Sequence, residues 1–304
     1  MTSEMNAAIP GLLNLLVFGL VLMSVGEAGA AEAEAQWAAL LSARYETLRV
    51  QLGHNAFQKP LYLESNEAPD GVSGDVFAVV DFPFAKAKAV LNRPAQWCDI
   101  LMLHLNVKFC RVVGSGSGSV LNVGMGRKFD QPADKIHQVD FTFGVAADTP
   151  KYLKIRLDAD SGPLSTRDYR IVFEAIPLEK DQTFIHLTYS YAYGLTGRMA
   201  LQGYLRTLGR NKVGFTVVGR QSDGRPRHVG GVRGVVERNS MRYYLAIEAF
   251  LGSLSAPPPA QIEKRLHDWI DAVELYPRQL HEMEPSEYLE MKRKEIARLQ
   301  GAVG

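Results

Sequence analysis

Residues 230–254, GGVRGVVERNSMRYYLAIEAFLGSL, constrain the fold more than any other part of the chain. Tyr243, Tyr244, Ile247, Phe250, Leu251 and Leu254 recur at the three, four and seven spacing that places them on one side of a helix. Glu237, Arg238 and Arg242 fall mainly elsewhere around it. An apolar stripe of this kind needs an apolar partner, and most of the preceding chain reads as strands. The spacing therefore predicts a long helix that closes over a sheet. Asn239 or Ser240 is the expected N-cap, and Gly230, Gly231 and Gly234 allow a tight turn off the preceding strand.

The segments 107–113, 119–129, 136–145, 152–160, 169–176, 183–193 and 213–220 are rich in β-branched and aromatic residues and bounded by Gly, Pro, Asp or Ser. Their short links favour an antiparallel meander over parallel crossovers. Residues 60–65 and 75–82 read as two earlier strands, and 85–104 as a helical stretch broken at Pro94. Upstream, 31–52 is a helix whose apolar side carries Trp37, Leu41, Tyr45 and Leu48. Residues 198–208 read as a short helical connection. Beyond Pro257–Pro259, the segments 261–275 and 286–299 are charged amphipathic helices, with Trp269, Val273 and Tyr276 able to pack inward. Two readings of this tail stay open, a cover over the domain or a docking element for a protein partner. The fold class is α+β.

A net charge of +1 argues against nucleic acid as a partner, because broad electrostatic binding needs a basic surface. Residues 12–25 are an apolar run too short for a comfortable membrane span and the right length for the core of a signal peptide. Ala28, Gly29 and Ala30 follow as a cleavage site, so residues 1–30 are expected to direct export to the periplasm. The first ten residues carry no Lys or Arg, which leaves a membrane anchor through 12–25 as the other reading. Export would let Cys98 and Cys110 pair, stapling a helix to a strand. Two buried thiols are the alternative, since spacing does not give their Cα separation.

Chemical signatures are sparse. No nucleophile elbow, paired-histidine metal spacing or dinucleotide fingerprint occurs, so no metal and no cofactor is expected. GSGSG at 114–118 lacks a following Lys and reads as a hairpin. His104, alone on an apolar stretch, reads as a hydrogen-bonded core histidine, with a ligand contact or general base as the alternative. An enzyme would draw on His137, Asp140, Arg170, Glu174, His186, Arg198 and Glu237, although Arg170 and Glu174 share a strand face and read rather as a solvated or structural charge pair.

Three stretches, GDVFAVVDFPF at 74–84, LNRPAQWCDI at 91–100 and VERNSMRYYLAIEAFL at 236–251, together with the order of elements, resemble the helix-grip fold of the START-like (SRPBCC) superfamily. The resemblance covers 57–254, leaving 31–56 as an N-terminal helix and 255–304 as a helical tail. It implies a curved antiparallel sheet gripping the long C-terminal helix, with a cavity between them. That superfamily includes lipid and sterol carriers, pollen-allergen-like binders and polyketide cyclases, so the fold alone does not decide the use. The expected ligand is a lipid or similar hydrophobic molecule, with transient membrane contact, and a cyclase- or hydrolase-like enzyme is the alternative. A structural envelope protein acting through its C-terminal helices is a third reading. Ligand contacts are expected from Tyr189, Tyr191 and Tyr193, which alternation puts on one face, from Met241, Tyr244 and Ile247 of the closing helix, and from Arg170 and His186. The helix and the 198–208 connection would form the gate. The tyrosines either line the cavity or stack outside it.

Overall fold

The computed structural model describes residues 12–194, 197–199, 203, 205 and 212–301, with side chains for all of these except 12–28, 30 and 133. Its centre is an eight-stranded antiparallel sheet in the order β1-β2-β8-β7-β6-β5-β4-β3. The strands are β1 (Leu61–Ala68), β2 (Gly71–Val80), β3 (Val107–Val113), β4 (Val120–Met125), β5 (His137–Asp148), β6 (Leu153–Ser161), β7 (Thr166–Pro177) and β8 (Thr183–Tyr193). Register shifts in β3, β5 and β7 insert extra residues that bend the sheet into a grip. Helices α2 (Phe84–Leu91) and α3 (Pro94–Leu101) connect β2 to β3 across one end. The architecture is the α+β helix-grip arrangement.

Helix α4 (Gly231–Ser253) lies in the concave face, against β1, β2, β8 and α3. It starts eight residues before the expected cap at Asn239. The reason is backbone, since Gly230 is the N-cap and Gly231 takes a φ of +63° that a side chain would strain. Asn239 and Ser240 therefore sit mid-helix.

The helix is also buried nearly all round, where a single apolar face was expected. Helix α5 (Pro258–Glu274), a short turn α6 (Pro277–Leu280) and α7 (Pro285–Gly301) cover its back and the adjoining edge strand. Trp269 and Tyr288 are fully buried and stacked 4.9 Å apart, and both belong to the main core. The polar residues of α4 find partners far away in sequence. Glu237 accepts from the Ser65 hydroxyl, the Phe215 and Thr216 amides and the Thr216 hydroxyl. Arg242 donates to the Leu280 carbonyl and to Glu282. The C-terminal helices pack into the main core, to which Leu266, Trp269, Ile270, Val273 and Tyr288 belong.

Helix α1 (Leu12–Gly53) packs on the convex face, where Leu41, Leu48 and Leu52 meet Phe77, Tyr152, Ile176 and Phe184. The expected strand 213–220 is shorter. Val217–Arg220 (β9) pairs with Pro226–His228 (β10) as a separate hairpin off the main sheet. Most of the 198–208 connection lies outside the described residues. Cys98 of α3 and Cys110 of β3 are joined as a disulfide with Cα atoms 5.2 Å apart.

Candidate functional site

A cavity of about 820 Å³ opens between α4 and the concave face of the sheet. Four tyrosines give it a flat-sided aromatic wall. Tyr169 comes from β7, Tyr189 and Tyr191 from β8, and Tyr243 from α4. Tyr169 stacks on Tyr191 at 5.3 Å with an interplanar angle of 19°, and Tyr189 lies 5.2 Å from Tyr243. The mouth is built by the β4–β5 and β6–β7 connections, which bring Arg127, Phe129, Lys135 and Leu164 to its rim. A second hollow, of about 840 Å³ between α1 and the β7–β8 turn, is lined largely by polar groups such as Glu46, Arg49, Glu179 and Lys180.

The α4 side of the cavity is the stripe Val235, Asn239 and Tyr243, spaced four residues apart so that they stand above one another. Ile247 continues that stripe one turn beyond the last lining residue, into solid core. Met241 is turned roughly 200° from Asn239 and Tyr244 roughly 100° from Tyr243. All three expected contacts are fully buried away from the cavity, and the Tyr244 hydroxyl donates to Glu248.

The sheet sorts the remaining expectations by side. Tyr189 and Tyr191 line the cavity. Tyr193 shares their face and contacts Tyr191 at 6.2 Å, but it lies beyond the cavity wall. His186 is an odd number of residues from each of the three tyrosines, so alternation turns it to the convex side, and Arg170, the cross-strand partner of Ser190, turns with it. There His186 bridges Glu174 at Nδ1 and Asp75 at Nε2, both at 2.9 Å, and stacks on Phe77. Burial works to lower its pKa, yet the two carboxylates raise it above the ordinary value. Arg170 is largely exposed, 3.8 Å from Asp158. His186 and Glu174 thus belong to a charged network on the convex side, and Arg170 stands on that side outside the network.

His104 combines the expected burial with a place in the cavity lining. It stacks on Tyr243 with centroids 4.9 Å apart. The Asn106 amide donates to its Nδ1 at 3.1 Å, which puts the ring proton on Nε2. No group meets that Nε2–H with good hydrogen-bond geometry, although the Asn239 side chain is close enough to pull the imidazole's pKa upward as a poorly aligned neighbour. A buried donor left unmatched costs about 1–3 kcal/mol. Burial, reinforced by the charges of Arg242, Lys292 and Lys128, holds the imidazole well below its usual pKa, so it is neutral near pH 7.

The phenols of the aromatic wall are also held neutral. Burial raises the phenols of Tyr169, Tyr189, Tyr191 and Tyr243 above the ordinary tyrosine value. Neither this imidazole nor these phenols exchanges a proton near neutrality, while Asp130, Lys135 and His137 also line the cavity. Below the floor, Glu282 is ion-paired with Arg242 at 2.9 Å, Lys128 at 2.5 Å and Lys212 at 3.2 Å. Burial works to raise the Glu282 pKa, but these cations bring it down to about 2. Burial in turn lowers Lys128 to about 8. Among the described residues no group of three or more His, Cys, Asp or Glu side chains could hold a metal ion.

No family model and no curated protein matches the chain. Solved structures with a similar fold include norcoclaurine synthase from Thalictrum flavum, 13% identical, covering 49% of this chain and 80% of that one with a TM-score of 0.32. Ara h 8.0201 is 13% identical, covering 64% of this chain and 99% of that one with a TM-score of 0.35. Zhui aromatase/cyclase from Streptomyces sp. R1128 is also 13% identical, covering 49% of this chain and 86% of that one with a TM-score of 0.31. The likeness is one of fold.

Proposed function

We propose that this protein binds a hydrophobic small molecule, a lipid or similar amphiphile, in the cavity between α4 and the sheet. One observation carries the reading. The cavity is large enough for such a ligand, its wall is four neutral tyrosines, and a single buried donor waits at its inner surface. Affinity would come from removing apolar ligand surface from water, about 25 cal/mol per Å² before the cost of immobilisation. Phe129 and Leu164 stand exposed at the rim, apolar side chains placed where an amphiphile or a lipid surface meets the opening.

The proposal places the protein outside the cytoplasm. The apolar run at 12–25, the small residues at 28–30 and the Cys98–Cys110 bond support it. Packing of α1 begins at Trp37 among its described side chains, downstream of the expected cleavage point. Among the described residues no helix is long and apolar enough to cross a membrane.

Native mass spectrometry of protein purified from its own host, followed by organic extraction, tests the reading. A bound hydrophobic mass released by solvent is the expected result. Protein that arrives empty and also fails to take up a panel of lipids and ring-bearing amphiphiles would overturn it.

A further inference from the structure

Resting on that reading, the cavity can be taken one step further, to the chemistry of the ligand's polar group. His104 is 3% exposed, its tautomer is set by the Asn106 amide, and its Nε2–H has no well-aligned partner. It sits between the stacked ring of Tyr243 and the nearby Asn239, both of which line the cavity. An N–H donor asks for an acceptor, and the neighbouring Asn239 does not meet it with good hydrogen-bond geometry.

Arg242, Lys128 and Lys292 act on His104 from behind the wall, and none of them lines the cavity. Their field favours the negative end of a dipole at Nε2. A full carboxylate would fit less well, because it would lose its hydration and gain one N–H without a direct cation contact. A carbonyl oxygen takes the donor and the field at far lower desolvation cost. The body of the ligand must then lie among Tyr169, Tyr189, Tyr191 and Tyr243, whose flat faces suit a ring system better than a lone alkyl chain.

We infer that the ligand is an apolar, ring-bearing molecule with a carbonyl-type oxygen that accepts a hydrogen bond from His104 Nε2–H. The donor selects the ligand's functional group, and the tyrosines select its shape.

The test uses the full chain and three fluorescent probes of one ring size: prodan, which is a naphthyl ketone, its parent dimethylaminonaphthalene without the ketone, and the matching naphthoate. Prodan is expected to bind roughly tenfold more tightly than the parent, the discrimination of one buried hydrogen bond. In His104→Phe, which keeps a flat ring against Tyr243 but has no N–H, the ratio should fall to about one, and His104→Gln, which keeps a donor, should recover part of it. If His104→Phe does not fold, the infrared carbonyl band of bound prodan in the unaltered protein decides the matter, since a hydrogen-bonded ketone absorbs at lower wavenumber. Equal binding of prodan and its parent, or an unshifted carbonyl band, would overturn the inference while leaving the cavity reading intact. Tighter binding of the naphthoate would overturn it in favour of an anion, and binding of no probe would count against the cavity reading itself.

Discussion

Gly74 of β2 and Ser240 of α4 touch where the helix packs on the sheet. The Ser240 hydroxyl donates to the Gly74 carbonyl at 3.1 Å, and a Cβ placed on Gly74 would stand 2.6 Å from that same hydroxyl oxygen. Only glycine lets α4 settle this deeply. Gly74→Ala should destabilise the protein by about 1–3 kcal/mol through overpacking. Ser240→Gly in the same chain should recover part of the loss, because the clash is with its side chain. Urea unfolding of the two single variants and the double variant checks this, and strict additivity would mean that the two positions do not meet in this way.

The convex-face network should give stability a pH optimum on the acid side of neutrality. Burial opposes the charged form of His186, but Asp75 and Glu174 outweigh it and raise the folded-state pKa above 6.5. A raised histidine contributes fully below its unfolded value near 6.5 and loses its contribution as pH rises through the folded value. Burial likewise works to raise Glu174, while His186, Tyr152 and Lys154 hold it down to about 2 from 4.5, so its contribution is present above 4.5 and fades as pH falls toward 2. Both contributions are present between 4.5 and 6.5. The urea midpoint should therefore decline from pH 6.5 upward, and the decline should be smaller in His186→Gln. Parallel curves for the two proteins would show that His186 does not carry it.

Much of this architecture was legible in the sequence, and the parts that were not have one physical cause. Alternation placed Tyr189, Tyr191 and Tyr193 on a common face, and the same alternation, applied to His186, would have sent it to the opposite side. The stripe on α4 was visible, but periodicity placed Glu237, Arg238 and Arg242 only off that stripe, and their partners at Ser65, Val213 and Glu282 lie elsewhere in the chain. Charge burial depends on such distant partners, and periodicity carries no information about them. His104 fell to the same limit. Its burial was readable, but the missing partner at Nε2 appears only when Asn106, Asn239 and Tyr243 are brought around it.

The Cys98–Cys110 bond closes a loop with a sequence separation of 12, and that loop contains His104. Removing the bond should cost about 3 kcal/mol by the chain-entropy estimate. It should also loosen the segment that carries the cavity's donor. Reduction, or the Cys98→Ala and Cys110→Ala pair, is expected to lower the Tm and to weaken prodan more than dimethylaminonaphthalene. An unchanged ratio of the two affinities would show that the helix contacts alone hold His104 in place.

The C-terminal helices bear on the same segment from the other side. Tyr288 of α7 donates to the Leu103 carbonyl, and Lys292 donates to the carbonyls of His104 and Val107 and to Glu295, which also holds Lys108 at 2.9 Å. Lys292 is fully buried, and burial brings its pKa down to about 8. Lys292→Ala would leave two carbonyls and part of a carboxylate unmatched in the core, a loss of about 3–5 kcal/mol. Lys292→Met paired with Glu295→Gln should cost less, because it removes the stranded charge. Ending the chain at Pro257 removes Trp269 and Tyr288 and uncovers the side of α4 against which these helices pack, so the shortened protein should lose much of its near-ultraviolet circular dichroism and expose apolar surface. A shortened chain that unfolds cooperatively at the original temperature would mean that α5 and α7 are passengers on the domain, which their burial argues against.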